Sequence, residues 1–154
     1  MGIFSKKRKK TNQKTQMLIA RGNRLIQIYN DSQKLFQETK NPDVFFSRFD
    51  LSLKSLYDLL EIINNNEGIK LKGSNVKKMI QRLEKDREKI ISSFIHRYYD
   101  DALGKFKQLK TEKAKINHAI KSYEKLMKHS DRLSMKHVKK INKLWDPLLK
   151  KSNE

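Results

Sequence analysis

"TKNPDVFFSRFDLSLKSLYDLLEIINNNEG", Thr39 to Gly68, carries one helix with both ends marked. Asn41 offers a side-chain oxygen to the free N–H groups of a first turn, and Pro42 suits the first helical position. Asp43 complements the positive end of the helix. Beyond these signals Phe45, Phe49, Leu53, Leu56, Leu60 and Ile63 recur at three- and four-residue steps, which predicts one apolar face. The run Asn64-Asn65-Asn66 and Gly68 favour turn conformations that stop the helix. "IKLKGSN" reads as a loop after it.

The same periodicity extends outward. A first helix is expected from Lys14 to Glu38, with Leu18, Leu25, Ile26, Tyr29 and Phe36 on its apolar side. Gly22 leaves room there for a close helix crossing. On the C-terminal side Ser74 or Asn75 caps a third helix carrying Val76, Ile80, Leu83, Ile90, Phe94 and Tyr98. The acids Asp100 and Asp101 and then Gly104 suggest a break. Periodicity resumes through Ala102, Phe106, Leu109, Ile116, Ile120, Tyr123 and Met127. Residues 75–128 therefore form either one helix or two that meet near Asp101. "HSDRLS" reads as a turn, Ser134 caps a last helix with Val138, Ile141 and Trp145, and Asp146-Pro147 ends it. Two prolines and five glycines supply too little turn chemistry for an all-β fold. The expected fold is all-α: an antiparallel helical bundle with one or two long helices and a short C-terminal helix. Residues 14–149 form its single domain, between a flexible basic tail, 1–13, and a flexible C-terminus, 150–154.

Three stretches resemble a known family. "ETKNPDVFFSRFDLSLKSLYDLLEI", "ISSFIHRYYDDALGKFKQLKTEKAK" and "DRLSMKHVKKINKL", together spanning residues 38–144, are similar to a helical module of Gram-positive bacterial and phage proteins. The resemblance implies an all-α fold and a mobile-element origin. It implies no activity, because none is assigned to the module. Proteins similar to it are more acidic where this chain has Lys136, Lys139, Lys140 and Lys143.

The residues offer little catalytic chemistry. The chain has no cysteine, which excludes disulfides, thiolate zinc sites and cysteine nucleophiles. His96, His118, His129 and His137 show no H-E-x-x-H spacing. His96 and Asp100, one turn apart with Asp101 adjacent, read as a helix-surface pair rather than a metal site. Pro42-Asp43 has the start of a nuclease motif, but no acid-x-Lys triplet follows it; Glu38-Thr39-Lys40 precedes it. A Gly-rich phosphate loop and a G-x-S-x-G elbow are both missing from the sequence. A non-enzymatic protein without cofactor, metal or small-molecule substrate is expected. No apolar run reaches the roughly 18 residues of a spanning helix. The N-terminus "MGIFSKKRKK" has charge without the apolar stretch of a signal peptide. A cytoplasmic protein is expected.

Charge is the strongest functional signal. The net charge is +19, and every part of the chain is basic except residues 25–68, which carry four cations and seven acids. Such a field attracts nucleic acid, anionic lipid or an acidic protein. Lysine outnumbers arginine 28 to 8, so point charges for phosphates prevail over guanidinium forks for base edges. The expected polyanion contacts are Lys6, Lys7, Arg8, Lys9 and Lys10 in the tail. They continue through Lys107, Lys110, Lys121, Lys125 and Lys128, with His118, in a row about 30 Å long. Lys136, Lys140 and Lys143 complete the set on the last helix. An ordinary solvated lysine face is the better account of any one of these residues; the row as a whole, with the tail, carries the polyanion reading. Phe45, Phe46, Phe49, Tyr98 and Tyr99 stand at core spacings, which favours packing over stacking on bases. The leading expectation is non-specific nucleic-acid binding through backbone phosphates. The alternative is a mobile-element interaction module acting on an acidic host partner. The third is reversible association with an anionic membrane through Ile3, Phe4 and the adjacent cations. Lys6 stands where myristoylation needs Ser or Thr, so no lipid is expected there.

Overall fold

The structure is a computed structural model that describes the backbone of residues 2–66 and 73–150 and the side chains of 13–66 and 75–150. Among these residues it is all-α: α1 (Gly2–Glu38), α2 (Pro42–Asn65), α3 (Gly73–Gln108), α4 (Glu112–Met127) and α5 (Met135–Lys150), with a 3-10 turn at Ser130–Arg132. Residues 69–72 of the expected loop, the side chain of Ser74 and the C-terminal residues 151–154 lie outside the described residues; α3 already contains Gly73, Ser74 and Asn75, so the loop is shorter than expected and Asn75 is a helical residue rather than the cap.

Several helix ends form as their residues dictate. The Asp43 N–H donates to Asn41 Oδ1 at 3.0 Å, so Asn41 is the α2 cap. The His137 N–H donates to Ser134 Oγ at 3.3 Å, and the Ser134 N–H donates back to His137 Nδ1 at 3.2 Å, which makes a reciprocal cap for α5. Other ends differ from expectation. α1 begins at Gly2 rather than Lys14, because no proline interrupts a run of good helix formers. α3 passes through Asp100, Asp101 and Gly104 and stops at Gln108, so neither one long helix nor a junction at Asp101 forms. The junction is at 109–111, where Thr111 Oγ1 accepts the Ala114 N–H at 3.1 Å and caps α4. α5 continues through Pro147 to Lys150. Its last turn buries Leu148, which offsets the backbone bond that Pro147 cannot make.

Contacts divide the chain into two compact units, Met1–Phe36 with Phe46–Lys85 and Gln37–Phe45 with Asp86–Glu154. In the first, α1 and α2 run antiparallel. Phe36 meets Phe49 edge-on at 5.4 Å, and a Cβ at Gly22 would lie 3.4 Å from Leu59 Cδ1. The close crossing expected at Gly22 is therefore present. Tyr29, Phe46, Leu56, Leu59, Ile62, Val76, Ile80 and Leu83 complete this core. The buried face of α2 includes Ser52 and Ser55, while Leu53, Leu60 and Ile63 are only half-buried. The two serines bond back to the Arg48 and Leu51 carbonyls, which lets hydroxyls take core positions that hydrophobicity alone assigns elsewhere.

In the second unit α3, α4 and α5 run up, down and up. Tyr98 OH donates to the Ser122 carbonyl at 2.7 Å, and His118 Nε2 lies 3.1 Å from the Ala102 carbonyl; together they set α3 against α4. Trp145 Nε1 donates to Ser122 Oγ at 2.9 Å and joins α5 to α4. His137 Nε2, 3.1 Å from the Glu88 carbonyl, ties α5 alongside α3. Phe45, Phe94, Tyr98 and Trp145 form a continuous aromatic line, with centroid spacings of 4.1, 5.9 and 5.8 Å. Phe45, Phe46, Phe49 and Tyr98 thus pack as core, while Tyr99 is half-buried against Trp145.

Candidate functional site

The second unit gathers cations around one carboxylate. Asp101, half-buried on α3, accepts Lys105 Nζ at 3.2 Å and Lys40 Nζ at 3.5 Å. Lys105 follows Asp101 by one helical turn, whereas Lys40 arrives from the connection between α1 and α2. Both lysines are more than half exposed, at 64% and 59%, so each pair contributes only about 0–1 kcal/mol. Opposite them, Lys121 and Lys125 project from successive turns of α4. Between α3 and α4 lies a cleft of about 210 Å³ whose walls carry Lys40, Lys105, Lys121 and Lys125 against Asp101 alone. Tyr98, Ala102, His118 and Ser122 supply the rest of its lining.

A second cleft, of about 730 Å³, shares Lys40, Asp101 and Lys105 and adds Arg97 and Asp100. Its charges nearly cancel. Arg97 Nε donates to the Thr39 carbonyl at 3.0 Å, its guanidinium carbon sits 5.3 Å from the Phe94 ring centre, and burial lowers its pKa. Arg97 is thus a fixed strut for the 37–45 segment. Near the far end of α4, His129 Nε2 meets Asp43 Oδ1 at 2.7 Å. That hydrogen bond, reinforced by Lys128 and Lys125, holds the Asp43 carboxyl below its ordinary pKa against the opposing effect of desolvation.

The expected polyanion contacts are distributed as follows. Lys107, Lys110, Lys121, Lys125, Lys128, Lys136 and Lys143 are exposed. Among the described residues, Lys107, Lys110, Lys121, Lys136 and Lys143 form no ion pair with a carboxylate. Lys140 is half-buried and donates to Ser92 Oγ, so its ammonium is engaged within the fold. The side chains of Lys6, Lys7, Arg8, Lys9 and Lys10 lie outside the described residues. The continuous 30 Å row does not form, because the chain reverses at 109–111 and separates Lys107 and Lys110 from α4. His118 turns inward to the Ala102 carbonyl, which leaves Lys121 to Lys128 as the exposed α4 row, about 10 Å long. The sequence alone does not point to Lys40, Arg97, Asp101 and Lys105 as a group. The Asp101–Lys105 spacing is a visible signal, but nothing local connects Lys40 to Asp101.

No family model, curated protein or solved structure matches the chain. Among the described residues no helix is long and apolar enough to cross a membrane.

Proposed function

We propose that the chain binds nucleic acid without sequence preference, through lysine contacts to backbone phosphates, and catalyses no reaction. The observation that carries this reading is the exposed row Lys121, Lys125 and Lys128 beside a cleft with four ammonium groups and one carboxylate, on a chain of net charge +19. Each lysine that neutralises a phosphate releases condensed counterions, which drives binding without any base contact. The helical scaffold aims point charges outward and buries Phe45, Phe46, Phe49, Phe94, Tyr98 and Trp145 in the core, which removes these rings from stacking on bases.

Fluorescence anisotropy with duplexes of unrelated sequence tests the proposal. Wild type should bind all of them with similar affinity, inside the usual non-specific range of roughly 10⁻⁴ to 10⁻⁶ M at physiological salt. Charge reversal at Lys121, Lys125 and Lys128 together should weaken every duplex by more than about tenfold, with an unchanged circular dichroism spectrum. Equal affinity for the triple variant, or strong preference for one sequence, would contradict the proposal.

A further inference from the structure

We infer that the cleft between α3 and α4 is a seat for one phosphate group, with Asp101 as an internal counter-anion that the phosphate displaces. This rests on the phosphate-binding reading above and assigns it a place. The cleft, of about 210 Å³, has room for a hydrated phosphate group. The lining is asymmetric in the required sense, with Lys40 and Lys105 on one side and Lys121 and Lys125 on the other. Asp101 already sits where an anion would sit, 3.2 and 3.5 Å from two of those ammonium groups. Both lysines are largely in water, so each can swing from the carboxylate to a phosphate oxygen without unburying anything. Lysine ammonium groups bind phosphate as mobile point charges, which suits such an exchange. The lining residues Tyr98 and Ser122 do not compete for the anion. Tyr98 OH donates to the Ser122 carbonyl, and Ser122 Oγ donates to the Ala119 carbonyl. The neighbouring larger cleft lacks the asymmetry, since Asp100 and Asp101 offset its cations.

The roles predict an uncommon result: removing a negative charge at the cleft should strengthen anion binding more than removing the same charge elsewhere. The full chain is titrated with inorganic phosphate against chloride at matched ionic strength and followed by amide chemical shifts. Perturbations should concentrate at Ala102, Lys105, Lys121 and Ser122. Asp101→Asn should raise phosphate affinity about tenfold, the factor expected when two charge-assisted contacts are freed from an internal competitor. Asp146→Asn, which releases Lys150 from an exposed pair on α5, should leave it unchanged. If Asp101→Asn loses helix content, the exposed pair Lys121→Gln with Lys125→Gln decides the matter by abolishing the shifts at Ala102 and Ser122. A strand with a 5′-phosphate compared with its 5′-hydroxyl form then separates a terminal monoester from an internal diester; either source supports the seat. Wild-type duplex binding with equal phosphate affinity in the two Asp→Asn variants overturns the seat and leaves the nucleic-acid reading standing. Shifts at Ala102 and Ser122 without duplex binding support the seat and remove that reading.

Discussion

Ser122 shows how single residues fix the second unit. Its carbonyl accepts Tyr98 OH, and its hydroxyl accepts Trp145 Nε1 while donating to the Ala119 carbonyl, so three helices meet at one small polar residue. Burial, then the negative charges of Asp101 and Asp43, push the Tyr98 phenol up to about 12. The consequence for stability follows from linkage. An unfolded tyrosine ionises near pH 10, whereas the folded one keeps its proton to about 12. Stability is thus complete below pH 10 and falls as pH rises from 10 to 12. Denaturant unfolding across that interval should show the loss in wild type and a smaller one in Tyr98→Phe. An identical alkaline decline in both would contradict the assignment. Among these residues the aromatic spacing alone marks Tyr98 as core. The Ser122 node is not legible in the sequence, because serine carries no apolar signal and its partners come from α3 and α5.

Helix ends and helix interiors are legible to different degrees. Asn41-Pro42-Asp43 and Ser134 are local signals, since the capping side chain and its backbone partner lie within three residues. The α3–α4 junction has an equally local cap in Thr111, but Gly104 and the paired acids upstream look like stronger breakers. A helix tolerates one glycine at a cost of about 1 kcal/mol, and Asp101 is neutralised there by Lys105 and Lys40. Placing the junction at Asp101 also rotates the expected α4 face. Ala119, Ser122 and Leu126 are its buried positions, and Ile120 is 39% exposed. A connection at 109–111 resets the helical phase, so a stripe extrapolated across it points the wrong way. Thr111→Ala should accordingly destabilise by about 1 kcal/mol through removal of the α4 cap, measured by urea denaturation. Gly104→Ala should stabilise by about 0.5–1 kcal/mol, because a Cβ there meets nothing within 4 Å. Gly22→Ala, with Leu59 at 3.4 Å, should gain less than Gly104→Ala. Thermal melts of the two glycine variants compare them directly, and destabilisation by Gly104→Ala would mean that the helix is interrupted there after all.

For the whole molecule, composition and periodicity are enough to read an all-α fold, and charge counting is what raises the expectation of a polyanionic partner. Neither reveals where the charge converges. Lys40, Asp101 and Lys105 meet only because the segment 37–45 packs in the same unit as the last turns of α3, and sequence spacing carries no trace of that approach. Cations spread along a solvated helix and cations gathered on one phosphate footprint have the same net charge. They differ in how many counterions leave on binding. The most direct measurement is therefore the dependence of duplex affinity on salt, taken from about 0.05 to 0.2 M with a random-sequence duplex. Six to ten neutralised phosphates should give a log–log slope of roughly −5 to −9, and replacing Lys121, Lys125 and Lys128 with alanine should flatten it by about 1 for each phosphate no longer neutralised. A slope near zero, or binding weaker than about 10⁻⁴ M at physiological salt, would contradict nucleic-acid binding through backbone phosphates.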